Sequence, residues 1–242
     1  QVLKLTKTNI PNISEDEVLI KVRSAGVNRP DIIQREGNYP APPGHSKTLG
    51  LEVSGIIEKV GINVKKFLVG DKVAALVNGG GYAEFCKANE SLVFHIPKNI
   101  TFNEAACIPE CFFTAWSNIV MRGEIKKNQK ILIHGGTSGV GIASIQIAKL
   151  FDSYIITTVG NKEKVSFCKK LGVDKTINYN ESNFFEEIKN SQISSVDLVL
   201  DFIGGDYINK NINLLNNDGR LVNIGFQNGS KAEINLMKIM LK

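Results

Sequence analysis

The chain has 242 residues, which at about 150 residues per domain allows one or two domains. Hydrophobic residues make up 43% and charged ones 22%, with 29 Lys+Arg against 24 Asp+Glu for a net charge of +5, an ordinary globular mix that excludes a disordered or fibrous chain and gives little support for nucleic-acid binding. No apolar run approaches the roughly 18 residues of a membrane-spanning helix, so no membrane partner is expected.

The first hundred residues read as short strands and turns. Glu17 to Arg23 alternates, with Val18, Ile20 and Val22 on one face, and Val53–Val60 and Lys72–Val77 are further apolar stretches. Pro42-Pro43-Gly44, Gly70-Asp71 and Gly79-Gly80-Gly81 supply turns between them, a spacing that suggests a small β-barrel or sandwich. Thr101-Phe102-Asn103-Glu104 fits a capping box, which predicts a helix continuing through Trp116 and Ile119.

From there strands and helices alternate. Strands are expected at Lys130–His134, Tyr154–Val159, Lys175–Asn178, Val196–Phe202 and Arg220–Ile224, with helices at Ser138–Leu150, Lys162–Leu171 and Phe184–Asn190. Apolar strands separated by amphipathic helices imply a parallel sheet covered on both faces, hence an α/β fold with a β-rich first part. The start at Gln1 and the apolar run from Ile234 to Leu241, ending without a stop signal, read as a chain shown without its ends. Cys86, Cys107, Cys111 and Cys168 are too few and too irregular for a disulfide framework, which points to a reducing compartment and a cytoplasmic location.

The most informative stretch is Ile131-Leu132-Ile133-His134-Gly135-Gly136-Thr137-Ser138-Gly139-Val140-Gly141. An apolar strand enters a glycine-rich turn that opens directly into a helix, the arrangement that lets backbone amides and a helix dipole meet a pyrophosphate. The spacing departs from G-x-G-x-x-G: from Gly136 it is G-x-x-G-x-G, and from Gly139 it is G-x-G-x-x-S with Ser144 last. The second strand ends Val159-Gly160-Asn161-Lys162 without the carboxylate that would accept the ribose 2′-OH of NADH. Lys162 and Lys164 lie close by and Tyr179 ends the next strand, so NADPH is the expected cofactor.

Ala25-Gly26-Val27-Asn28-Arg29-Pro30-Asp31, Gly50-Leu51-Glu52-Val53-Ser54-Gly55, Val69-Gly70-Asp71-Lys72-Val73, Gly80-Gly81-Tyr82-Ala83-Glu84-Phe85, Glu104-Ala105-Ala106 and Thr114-Ala115-Trp116, together with the glycine turn, resemble the medium-chain dehydrogenase/reductases. Arg35-Glu36-Gly37-Asn38-Tyr39-Pro40, the Ser138 turn and Asp201-Phe202-Ile203-Gly204-Gly205 are most similar to the zinc-independent, zeta-crystallin-like quinone oxidoreductases. The resemblance implies a GroES-like β-barrel catalytic domain over residues 1–112 and a Rossmann NADP-binding domain over 113–242, with the active site in the cleft between them. It also implies a homodimer that passes hydride from NADPH to a small-molecule quinone or other electrophilic acceptor. A 2-alkenal or enoyl reductase, and a non-catalytic NADPH- or RNA-binding crystallin-like protein, are the alternatives.

Zinc-dependent relatives place Cys where this chain has Asn28 and His where it has Leu51, so no metal is expected. Cys107 and Cys111, one helical turn apart, read as paired buried thiols. The resemblance points to Tyr39 and Ser138 beside the acceptor, with Asn28 and Asp31 shaping the same cleft; local structure alone would also allow Tyr39 a packing role, Asn28 a turn role and Asp31 an N-cap role. By motif match the cofactor contacts are Asn28, Thr114, Ser138, Gly139, Val140, Gly160, Asn161, Lys164, Tyr179, Ile203, Gly225 and Phe226.

Overall fold

Val18 and Ile20, expected on one strand face, are fully buried in β1 (Glu17–Ala25) in the computed structural model, which describes residues 3–242. The chain divides into two units, Gln1–Glu110 and Cys111–Lys242. In the first, α1 (Arg29–Arg35), β2 (Glu52–Val60), β3 (Lys72–Leu76), β4 (Phe85–Asn89), β5 (Val93–His95) and α2 (Phe102–Ala105) follow β1. Its sheet has the order β4-β1-β2-β3-β5 with every pair antiparallel. Two irregularities in the β1–β2 register add local twist, so the sheet curls around Val18, Ile20, Val53, Ile57, Val73 and Ala75.

The second unit takes α3 (Pro109–Trp116) from its third residue onward and then β6 (Lys130–His134), α4 (Gly139–Leu150), β7 (Tyr154–Val159), α5 (Lys162–Lys170), β8 (Lys175–Asn178) and α6 (Phe184–Lys189). β9 (Val196–Asp201), α7 (Tyr207–Leu214), β10 (Leu215–Asn223) and α8 (Leu236–Met240) complete it. All strands of this sheet are parallel, in the order β10-β9-β6-β7-β8. The side-chain period of two divides β6 between two cores: Ile131 and Ile133 pack into one cluster and Leu132 into the other. A two-part α/β architecture with a Rossmann-type sheet is therefore present. β6, the first strand of the sheet in sequence, sits in its middle with β7 on one side and β9 on the other.

Several expectations need correction. The capping box at Thr101 and Glu104 is formed, but its helix ends at Ala105. Pro109 disfavours the α conformation at Ile108 and cannot donate to the preceding turn, so a separate α3 starts there and runs into a π-helical turn over Ser117–Arg122. The helix after β1 is capped by Asn28 rather than Asp31: the Asn28 backbone N–H donates to the Asp31 carboxylate at 2.9 Å. Cys107 is exposed and Cys111 half-buried, so they are not a buried pair. β10 opens at Leu215, well before the expected Arg220, but its continuous pairing to β9 is Arg220–Asn223 opposite Leu198–Asp201.

Candidate functional site

Parallel strands place all their C-terminal ends on one edge of the sheet, and most of the expected cofactor residues follow those ends. After β6 the chain turns through Gly135, at φ +67°, and Gly136, whose amides donate to the Thr158 carbonyl of β7 at 3.0 and 3.3 Å. A Cβ at Gly136 would lie 2.1 Å from Thr157 Oγ1, and one at Gly141 would lie 2.3 Å from the Gly135 carbonyl oxygen. The turn is thus pressed against its neighbours at two points that admit no side chain. Ser138 is the N-cap of α4, accepting from the Gly141 amide at 3.0 Å while its hydroxyl donates to the Gly135 carbonyl at 2.8 Å. Its single proton is therefore used inside the turn. The amides of Gly139 and Val140, in the first turn of the helix, have no intrahelical acceptors and meet the positive end of a twelve-residue dipole. The Sγ of Cys111 lies where a Cβ on Gly139 would come within 2.6 Å of it, which brings α3, and Thr114 on it, beside this turn.

At the ends of β7 and β8, Asn161 caps α5 by accepting from the Lys164 amide at 2.8 Å. The Tyr179 ring covers Gly160 so closely that a Cβ there would meet its hydroxyl at 2.5 Å. Lys162 faces Glu181 at 3.7 Å, whereas Lys164 is exposed and has no ion pair among the described residues. At the ends of β9 and β10 the Asp201 carboxylate accepts from the amides of Ile203 at 2.7 Å and Gly204 at 3.2 Å. The Phe226 ring, just beyond Gly225, rests against Gly204, and the Asn228 amide donates to the Ile203 carbonyl at 2.8 Å. Ser138, Gly139, Val140, Gly160, Asn161, Lys164, Tyr179, Ile203, Gly225 and Phe226 thus all follow strand ends on this one edge. Glycines that leave no room for a Cβ and a helix N-terminus at the end of a parallel strand fit a pyridine dinucleotide.

The first unit carries its own polar group. Asp31, only 2% exposed, accepts from the Gly50 amide at 3.0 Å and the Tyr82 hydroxyl at 3.0 Å as well as from Asn28. Gly50 reaches it at φ +101° with Tyr82 packed against its Cα, a position that only glycine tolerates. Glu52, equally buried, accepts from Asn28 Nδ2 at 2.7 Å and from the Glu110 amide at 2.9 Å. Asn28 and Asp31 are therefore brought together, and Asn28's amide nitrogen is held by a carboxylate. Tyr39 stands half-exposed in the turn after α1 and makes no hydrogen bond to this group. Tyr82 and Glu52 were visible only as members of motifs. Their roles depend on partners 51 and 58 residues away, which no local signal announces. Among the described residues, no group of three or more His, Cys, Asp or Glu side chains could hold a metal ion.

Burial, reinforced by the negative charges of Glu52 and Asp31, pushes the Glu110 carboxyl up to about 7 from an ordinary 4.5. Burial also raises Glu52, against the hydrogen bonds from Asn28 and the Glu110 amide that lower it. Between those two values the folded protein holds a proton on Glu110 that the unfolded chain has released, so stability falls as pH rises through that window. Glu110→Gln should therefore stabilise the protein at pH 8 by ~1 kcal/mol, after allowance for solvent screening, and change little at pH 5. Thermal denaturation at both pH values checks this; an equal gain or a loss at both would refute it.

Residues 14–98 match the alcohol dehydrogenase GroES-like domain family and residues 139–242 the zinc-binding dehydrogenase family. The chain is 33% identical over 245 residues to a quinone oxidoreductase of Sus scrofa, covering 100% of this chain and 74% of that protein. Among solved structures, a mycobacterial protein complexed with NADPH superposes with a TM-score of 0.84 at 28% identity, over 97% of this chain and 73% of that one. The CurK enoyl reductase superposes at 0.82 with 31% identity, over 92% and 69%.

Proposed function

Since the chain belongs to the zeta-crystallin-like quinone oxidoreductases of the medium-chain dehydrogenase/reductase superfamily, we propose that it transfers hydride from NADPH to a quinone without a protein-bound zinc ion. The observation that carries this reading is the Gly135–Gly141 turn, with first-turn amides of α4 open at the C-terminal edge of a parallel sheet and Lys164 unpaired on the same edge. The amides of Gly139 and Val140 hold the diphosphate, Asn161 and Lys164 the 2′-phosphate, and Tyr179 lies against the ribose end. Ile203, Gly225, Phe226 and Thr114 complete the cofactor's surroundings. Ser138 keeps the turn in shape rather than donating to the acceptor. The bound dinucleotide supplies the hydride; the protein orients it and keeps water from competing. In the catalytic unit, Asn28, held by Glu52 through its side-chain nitrogen and by Asp31 through its backbone amide, contacts the cofactor, and the exposed Tyr39 phenol donates to the acceptor oxygen.

Stopped assays of NADPH oxidation with ortho- and para-quinones, with thermal stabilisation by NADPH and NADH measured in parallel, test this reading. Quinone turnover and a larger stabilisation by NADPH are expected. Binding of NADPH with no turnover of any quinone would overturn it. The likeness to an enoyl reductase favours one second reading, and faster turnover of 2-alkenals or enoyl thioesters than of quinones would select it.

A further inference from the structure

A hydrogen-bond chain, buried from Thr158 through His134 and Asn211 to Asp201, crosses the second unit directly beneath the edge just described. His134, the last residue of β6, is fully buried, with Nδ1 3.0 Å from Thr158 Oγ1 and Nε2 2.9 Å from Asn211 Oδ1. Asn211, on α7 and also fully buried, donates through Nδ2 to Asp201 at 3.1 Å. Asn223 of β10 donates to the same carboxylate oxygen at 2.9 Å, while the other oxygen takes the amides of Ile203 and Gly204. Because Asn211 turns its nitrogen to the carboxylate, its oxygen must accept from His134, which places a proton on Nε2; in the neutral imidazole Nδ1 then accepts from Thr158. Burial, which holds this imidazole below its usual range, agrees with that state. Phe184 and Tyr207 close over the ring edge-on at 4.9 and 5.0 Å.

Each member except Asn211, which lies within α7, leads into a turn of the candidate site. His134 precedes Gly135, the Thr158 carbonyl anchors the amides of Gly135 and Gly136, Asp201 shapes the Ile203 turn, and Asn223 precedes Gly225. We propose that Asn211 is a positioning residue for the dinucleotide site, setting the turns after β6, β7, β9 and β10 in common register through His134 and Asp201 without touching the ligand. This rests on the dinucleotide reading above. A buried side chain here must accept from an imidazole and donate to a carboxylate at once, which the Asn211 amide does and an apolar side chain cannot.

The test compares Asn211→Leu, His134→Leu and His134→Gln, the last able to keep a donor towards Asn211. Asn211→Leu and His134→Leu should weaken NADPH binding in titration calorimetry about tenfold, raise KM for NADPH similarly, and leave kcat at saturating NADPH within twofold. His134→Gln should restore most of the affinity. Amide hydrogen exchange should accelerate at Gly135, Ile203 and Gly204 in the two leucine variants and not in His134→Gln. Unchanged NADPH affinity and unchanged exchange at these amides in a folded Asn211→Leu protein would overturn the proposal. So would equal losses in His134→Gln and His134→Leu. Should the unsubstituted protein fail to bind NADPH, the functional reading falls, and faster exchange at those amides still decides whether Asn211 sets the turns.

Discussion

Gly136→Ala is expected to destabilise the second unit by about 3 kcal/mol and to remove NADPH-dependent thermal stabilisation. The added Cβ would sit 2.1 Å from Thr157 Oγ1 and 2.9 Å from both Thr157 Cβ and Cγ2. Thr157 cannot swing aside, because it is fully buried and its hydroxyl donates to the Ile133 carbonyl at 2.7 Å. The strain must then move the backbone of the turn, at the upper end of the 1–3 kcal/mol typical of overpacking. The same movement displaces the amides that face the phosphates, so binding is lost together with stability. A melting temperature lowered by roughly 6–12 °C is the corresponding readout for a chain of this size. A variant that melts with the parent protein and still gains stability from NADPH would show that this close approach is not what the turn requires.

Much of this unit could be read directly from the chain because its signals are local. β6, β7 and β8 begin and end at the expected residues; the first two are buried along most of their length, as central strands of a covered parallel sheet are. The helices start after Ser138, Asn161 and Asn183, each a side chain that accepts from an amide two or three residues on, and α5 stops before Gly172 at φ +81°. What escaped was either a single overriding residue or a contact between distant ones. Pro109 broke a helix that the apolar spacing continued. α7, rich in Asn and Ile, has a composition that disfavours a helix, and it forms because Ile212 and Leu214 are buried while Asn211 enters the hydrogen-bond chain. Asp31 and Glu52 looked like a turn acid and a motif residue. Only folding shows that the two carboxylates bracket Asn28, one holding its backbone amide and the other its side chain.

Lys164→Glu should weaken NADPH binding 10- to 100-fold while changing NADH binding less than threefold. Lys164 occupies the first turn of α5, its amide capped by Asn161 and its ammonium group exposed and without an ion pair. The neighbouring Lys162 is already engaged with Glu181 at 3.7 Å, and the end of β7 offers no carboxylate to a ribose hydroxyl. A phosphate of nearly two negative charges beside Lys164 gains a partner; beside a glutamate it meets repulsion instead. At an exposed site each such interaction is worth on the order of 1 kcal/mol, and replacing attraction by repulsion counts it twice, which corresponds to that range of affinity. NADH has a hydroxyl at this position and is nearly indifferent to the sign of the charge. The difference between the cofactors should also shrink as salt is raised, because both groups lie in solvent where a Debye length of about 8 Å applies at physiological ionic strength. Calorimetric titration of both dinucleotides at low and high salt measures all of this. Equal losses for NADH and NADPH, or a selectivity indifferent to salt, would remove Lys164 from the recognition of the 2′-phosphate.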